Sequence, residues 1–289
     1  MTNRALEDKS RWYASSMFAR KRTLVMGVVN LTPDSFFDGG RYPSPDLAYR
    51  HAMGLVRDGA HLLDLGAESS RPGADPLAPE TELERLLPVM DMLRDCPVPL
   101  SVDTYHSATA RRVLAEGATL INDISALRHD PEMAEVVAET GCPCVLMHMQ
   151  GTPQTMQSAP KYDDVIAEIV DFFAERIAAA EAAGIDREQL WIDPGFGFGK
   201  TVAHNLRILR ELDSFRCFGL PVLVGASNKS TLGAVLNVEV NDRTEATAAT
   251  VAVAVMNGAH CVRVHDVHAM ARVATMTDAI VHGLESTPE

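Results

Sequence analysis

GAHLLDLGAESSRPGA, residues 59–74, holds one complete unit of the fold. Gly59 stands where a left-handed cap ends a helix. HLLDLG (61–66) is an aliphatic run of strand length, interrupted by one carboxylate, Asp64. Residues 67–80 follow without periodicity, and at about fourteen residues they exceed the connections usual in compact domains. Outward from this unit the strand signal recurs in LVMGVVN (24–30), VPLSVD (98–103), ATLIND (118–123), PCVLMH (143–148), QLWID (189–193), LPVLVG (220–225) and HCVRVH (260–265), eight runs in all. Between them lie residues spaced three and four apart, such as Leu83, Leu86, Leu87, Met90 and Leu93, or Val165, Ile169, Phe172, Phe173 and Ile177. Strand alternating with helix dictates parallel strands.

The helix-to-strand turns are short and marked by glycine: Gly59, Gly117, Gly141 and Gly258. The long segments, 31–45, 67–80 and 149–162, all follow strands, namely the first, second and fifth. Length gathered at the strand C-termini is the asymmetry of a (β/α)8 TIM barrel, whose working face lies there. A doubly wound open sheet of eight strands is the alternative, and the barrel is favoured. The chain length of 289 residues also suits one barrel domain, over 23–289, with residues 1–22 as an N-terminal extension.

Hydrophobic residues make up 46% and charged residues 22% of the chain, enough for an ordinary aliphatic core. A net charge of -13 opposes general affinity for nucleic acid or anionic membrane, so neither partner is expected. The five cysteines (Cys96, Cys142, Cys144, Cys217, Cys261) are scattered without a Cys-x-x-Cys pair, which predicts reduced thiols in a cytoplasmic protein. Residues 1–22 are charged throughout, and no stretch reaches the ~18 apolar residues of a membrane span.

IDPGFGFGKT (192–201) invites a phosphate-loop reading, but Pro194 stands where the first glycine of that motif belongs. A dinucleotide fingerprint fails as well, because Lys200 occupies its third glycine. The glycines are expected to let a tight loop pass beside a flat ring, and Lys200 to be a solvated or loop-supporting charge.

Polar residues accompany every strand: Asn30, Asp64, Asp103, Asn122, His148, Asp193, then Ser227 and Lys229, then Arg263 and His265. Any one of them could merely cap the next helix. Together, at one barrel mouth, they would be costly to bury without a ligand. Asp103, Asn122 and Asp193 suit a flat heterocycle with a guanidine-like edge, and Lys229 its carbonyl or a ring nitrogen. An opposing rim of Asn30, Arg71, Arg263 and His265 suits an anion. Magnesium fits near Asn30, since that ion takes few protein ligands and shares phosphate oxygens. His148, His265 and His268 lack a matching third ligand for zinc.

GVVNLTPDSFFDGG (27–40), GAESSRPGA (66–74), SVDT (101–104), INDIS (121–125), LMHMQGTPQTMQ (146–157), DPGFGFGKT (193–201), GASNKSTLG (225–233) and RVHDV (263–267) resemble the dihydropteroate synthases in order and spacing, from Leu24 to Gly283. The resemblance implies a pterin-binding barrel that joins 6-hydroxymethyl-7,8-dihydropterin diphosphate to p-aminobenzoate and releases diphosphate. It places Asp103, Asn122, Asp193 and Lys229 on the pterin, Asn30 at the diphosphate and its magnesium, and Arg263 and His265 on the phosphates. Ser70, where the family usually has threonine, would contact the phosphate end. Phe36, Pro72, Lys229 and Ser230 would build the p-aminobenzoate pocket, under mobile loops after strands one and two. A homodimer through late helices is implied too.

Two departures stand out. Asn228 replaces the arginine usual in Ser-Arg-Lys-Ser, and Phe37 replaces a small residue. Pterin-dependent methyltransferases share the barrel but need no anion site, so the NLTPDSFFDGG and ESSRPG loops argue against them. A non-catalytic paralogue would not need the intact polar set.

Overall fold

Strands buried on both sides read as unbroken aliphatic runs, because helices cover the outer face and side chains from other strands fill the inner one. A computed structural model, describing residues 22–32 and 44–283, bears this out. The strands are β1 (Leu24–Asn30), β2 (Leu62–Gly66), β3 (Leu100–Asp103), β4 (Leu120–Asp123), β5 (Cys144–Met147), β6 (Leu190–Asp193), β7 (Leu223–Val224) and β8 (Cys261–Val264). Their order in the sheet is β6-β5-β4-β3-β2-β1-β8-β7. The ends meet through a single parallel bridge between Ile192 and Val222, with the Ile192 N–H donating to the Pro221 carbonyl at 2.9 Å. The sheet is therefore a barrel and not an open sheet.

Helices α1 (Pro45–Arg57), α2 (Pro79–Met92), α3 (Ser107–Ala115), α4 (Met133–Thr140), α5 (Val165–Ala182), α6 (Val202–Arg210), α7 (Ser230–Leu236), α8 (Thr244–Met256) and α9 (Val267–His282) ring it. Two of them, α7 and α8, fall between β7 and β8. Inside the barrel, Leu24, Met26, Leu62, Leu120, Val145, Trp191, Leu223 and Cys261 form one apolar layer drawn from seven strands. That layer is a packed floor. Above it, Tyr105, Ile124, Met147, Met149, Met156 and Phe198 form a second cluster at the mouth.

The strand boundaries differ from the aliphatic runs in one instructive place. LPVLVG spans 220–225, yet β7 is only Leu223–Val224. Pro221 has no N–H to give, so the ladder cannot extend back through it. Thr23 begins the described barrel, its N–H and Oγ1 donating to the two carboxylate oxygens of Asp278 at 2.7 and 2.8 Å. Phe36 and Phe37 lie outside the described residues, as do nearly all of residues 1–22.

Candidate active site

The parallel register sets four positions in one row across neighbouring strands: Asn30 pairs with Gly66, Gly66 with Asp103, and Asp103 with Asn122. Glycine in the second place matters. A Cβ added at Gly66 would touch Asn30 Oδ1 and Asp103 Oδ2, each at 3.8 Å, so its absence leaves space between them.

Asp64 sits two residues earlier on β2 and is wholly buried. It accepts from Arg263 Nε at 2.6 Å, Ser101 Oγ at 2.5 Å and Asn122 Nδ2 at 3.2 Å. Arg263 also donates from Nη2 to Asp103 at 3.3 Å. Arg263 was expected on a rim opposite Asp103. It instead bridges two carboxylates, because neighbouring buried acids need a cation between them. Asp64 is the hub that the sequence reading left without a role.

Burial, then repulsion from Asp64, pushes Asp103 up to about 7 despite Arg263. Asp193 rises to about 6, mainly through burial. Lys229 is pushed down to about 8 by burial and by Arg263. Its ammonium rests 3.9 Å from the centre of the Phe198 ring, a cation–π contact that sequence reading missed. His265 falls to about 4 through burial and the charges of Arg263, Lys229, Arg71 and His51. It is therefore neutral near pH 7. Ser227 Oγ lies 3.0 Å from His265 Nδ1 and accepts from its backbone N–H at 3.2 Å.

Ser70 and Asp103 line one cleft, together with Glu68, Glu82, Thr104, Tyr105 and Ile124. The loop after β2 is fastened there by Glu68, which accepts from the Tyr105 hydroxyl and lies 3.7 Å from His106 Nε2. Glu82 is buried and its carboxyl rises through burial, although it accepts from Thr104 Oγ1 at 3.0 Å. The same loop touches the one after β5, where the Gly73 N–H donates to the Pro153 carbonyl at 3.1 Å. Arg71, Pro72 and Ser230 are exposed at the mouth.

The glycine-rich run behaves differently from the expectation. Gly195, Gly197 and Gly199 all have left-handed φ (69°, 86° and 62°). A Cβ on Gly195 would overlap the His148 carbonyl oxygen, and one on Gly199 would come within 2.6 Å of the Gln150 carbonyl oxygen. Two of the three glycines thus admit the backbone of the neighbouring strand's loop, while a Cβ on Gly197 would meet Lys229 Cδ at 3.1 Å. Of the two readings of Lys200, solvated or loop-supporting, the second holds. The residue is 3% exposed, and its ammonium donates to His148 Nδ1 and to the carbonyls of Gly195 and Phe198, at 2.9, 3.0 and 2.9 Å.

A closed α/β barrel with paired carboxylates, an amide and two cations at its mouth defines a binding site for a polar, flat heterocycle with an anionic end. Comparison with known proteins is in keeping with that class. Residues 26–265 match the family described as pterin binding enzyme. Dihydropteroate synthase of Escherichia coli (strain K12) is 46% identical over 263 residues, covering 91% of this chain and 93% of the relative. A crystal structure of Yersinia pestis dihydropteroate synthase with a sulfonamide drug superposes with a TM-score of 0.85 at 44% identity, covering 90% of this chain and 94% of that one. Xanthomonas albilineans dihydropteroate synthase in complex with 7,8-dihydropteroate gives a TM-score of 0.81 at 42% identity, with the same coverage. The chain belongs to the pterin-binding enzymes and, within them, to the dihydropteroate synthase family.

Proposed function

We propose that the protein joins 6-hydroxymethyl-7,8-dihydropterin diphosphate to p-aminobenzoate, giving 7,8-dihydropteroate and diphosphate. The observation that supports this best is the row Asn30–Gly66–Asp103–Asn122, backed by Asp64 and Arg263, beside Asp193 and Lys229. Asp103, Asn122 and Asp193 read the hydrogen-bonding edge of the pterin, and Lys229 its carbonyl or a ring nitrogen. Charged hydrogen bonds of this kind contribute roughly 1.5–3 kcal/mol each.

The diphosphate faces Arg71, Arg263 and His265. Arg263 is held by Asp64 and Asp103 through Nε and Nη2, so its Nη1 edge meets the phosphates. Neutral His265 serves as a hydrogen-bond donor there from Nε2 when Nδ1 accepts from Ser227. These groups stabilise the charge that gathers on the diphosphate as the carbon–oxygen bond breaks. The methylene is left as a cation delocalised into the pterin, and the amine of p-aminobenzoate adds and releases a proton. No protein nucleophile is needed. Pro72, Lys229 and Ser230 form the p-aminobenzoate side, and Ser70 lies toward the phosphate end.

Magnesium fits the donor set at Asn30, whose Oδ1 borders the space left by Gly66. Asn30 would hold it alongside phosphate oxygens, where it supplies charge neutralisation. Dimerisation of two copies is supported by exposed apolar side chains on the late helices: Val235 and Leu236 on α7, Val253 and Met256 on α8, Met276 and Ile280 on α9. Cytoplasmic residence accords with five free cysteines, and no helix among the described residues is long and apolar enough to cross a membrane. One barrel domain over 23–289, preceded by an extension, completes the reading.

The test is incubation of the purified protein with both substrates and magnesium, measuring dihydropteroate and diphosphate together. Stoichiometric formation of both is expected. A folded protein that forms neither would sink the proposal.

A further inference from the structure

Asp193 is fixed by two backbone N–H groups from different loops. The N–H of His148, just past β5, donates to the Asp193 carbonyl at 2.9 Å, and the N–H of Gly195 donates to its carboxylate Oδ1 at 2.7 Å. Lys200 ties those two residues to each other. Its ammonium lies 2.9 Å from His148 Nδ1, 3.3 Å from the His148 carbonyl and 3.0 Å from the Gly195 carbonyl, and a further bond of 2.9 Å reaches the Phe198 carbonyl. The Phe198 ring in turn supports the Lys229 ammonium.

An ammonium buried to this degree is expensive unless every proton is taken up. Here His148 accepts at Nδ1, which requires that ring to be neutral with its proton on Nε2. Burial and the Lys200 charge hold His148 far below its usual range, in agreement. Purely apolar packing could fill the same volume, but it could not fix the directions of three carbonyls and an imidazole at once. Nothing in the proposed chemistry uses Lys200 directly. What it does is close a ring, His148–Asp193–Gly195–Lys200, around the one pterin-reading carboxylate that has no side-chain hydrogen bond among the described residues.

We infer that Lys200 is a positioning residue for the pterin half of the site, holding Asp193 and Phe198 in reading geometry by clamping the β6 loop onto the end of β5. The inference rests on the pterin-binding reading above and deepens it. It predicts a division between the substrates: pterin recognition, through Asp193, depends on the clamp, whereas p-aminobenzoate recognition, on the Pro72 and Ser230 side, does not.

The experiment compares Lys200→Met with the unaltered protein, after circular dichroism shows matching folds. Binding of 6-hydroxymethyl-7,8-dihydropterin diphosphate is measured by calorimetry, and the KM for p-aminobenzoate is measured at saturating pterin. The expected result is pterin affinity weakened at least tenfold with the p-aminobenzoate KM within twofold. Should Lys200→Met fail to fold, His148→Phe carries the same test. It keeps the ring packed against Phe172 while deleting the Nδ1 acceptor, and a three- to tenfold loss confined to pterin is expected. Pterin affinity within twofold of the unaltered protein in a folded variant would overturn the inference, as would an equal loss for both substrates. Because pterin binding is read separately from product, a protein that binds pterin but forms no dihydropteroate would refute the activity and leave the pterin-affinity comparison at Lys200 intact.

Discussion

On the β2, β3, β4 and β8 side of the mouth, side chains hold side chains: Asp64 gathers Arg263, Asn122 and Ser101, and Arg263 reaches on to Asp103. On the β5 and β6 side, backbone holds side chain. Asp193 is gripped by N–H groups of His148 and Gly195, and glycines let the loops approach closely enough for Lys200 to join them. The first arrangement shares one guanidinium between two carboxylates and leaves Asp103 poised near 7. The second supplies direction through backbone N–H groups, with Lys229 and Lys200 acting on Asp193 through their charge alone. One half tunes protonation, and the other tunes geometry.

Breaking the backbone-held half should have the largest effect. In Gly195→Ala the new methyl would overlap the His148 carbonyl oxygen at a left-handed φ of 69°, so the loop must move. Loss of activity by more than about a hundredfold is expected; steady-state kinetics near those of the unaltered protein would show the close approach to be unimportant. Breaking the side-chain-held half comes next. Asp64→Ala removes the fully buried partner of Arg263, which should cost roughly 3–5 kcal/mol of stability, read from denaturant melts. An unchanged midpoint would mean that Asp103 alone suffices to hold the guanidinium.

A smaller effect separates the two halves by pH. Asp103 sits near 7 in the free protein, and the N–H donors of a pterin favour its ionised form. Pterin affinity should therefore fall as pH drops through that value, by roughly five- to tenfold between pH 7.5 and 6. Asp193, near 6, adds a smaller share at the acid end, and loss of the Lys229 charge above about 8 weakens binding again. Calorimetry across this range checks the sign, and loss of most of the fall between pH 7.5 and 6 in Asp103→Asn would assign it to Asp103. The smallest effect belongs to Asn228→Arg. Asn228 has a left-handed φ of 58°, a conformation that asparagine tolerates better than arginine. A loss of about 1 kcal/mol in stability is expected, with the p-aminobenzoate KM changed less than threefold.

The barrel was legible because its signals are local: aliphatic runs, glycine turns and long segments confined to strand C-termini. The polar set was legible too, since each member stands in or beside a run. What the sequence could not convey was pairing across the barrel. Asp64 and Arg263 are 199 positions apart, and only closure of the sheet brings them together. Lys200 stayed between two readings, solvated or loop-supporting, for a related reason: its burial depends on the end of β5, more than fifty residues away. The strict need for glycine at 195 had the same hidden partner.

The join between β6 and β7 is the seam of the barrel: one bridge, Ile192 to Val222, beside a strand of two residues. Asp193 follows Ile192 directly, and Lys229 lies just beyond β7. Among the described residues, the two therefore flank the only strand junction without a continuous ladder. A breathing motion there would change the gap between carboxylate and ammonium while the seven laddered junctions stay shut. Amide exchange at Ile192 would register it, and tight occupancy of the gap would slow that exchange. In mechanical terms the barrel is a split ring, and the proposed heterocycle site lies at its jaw.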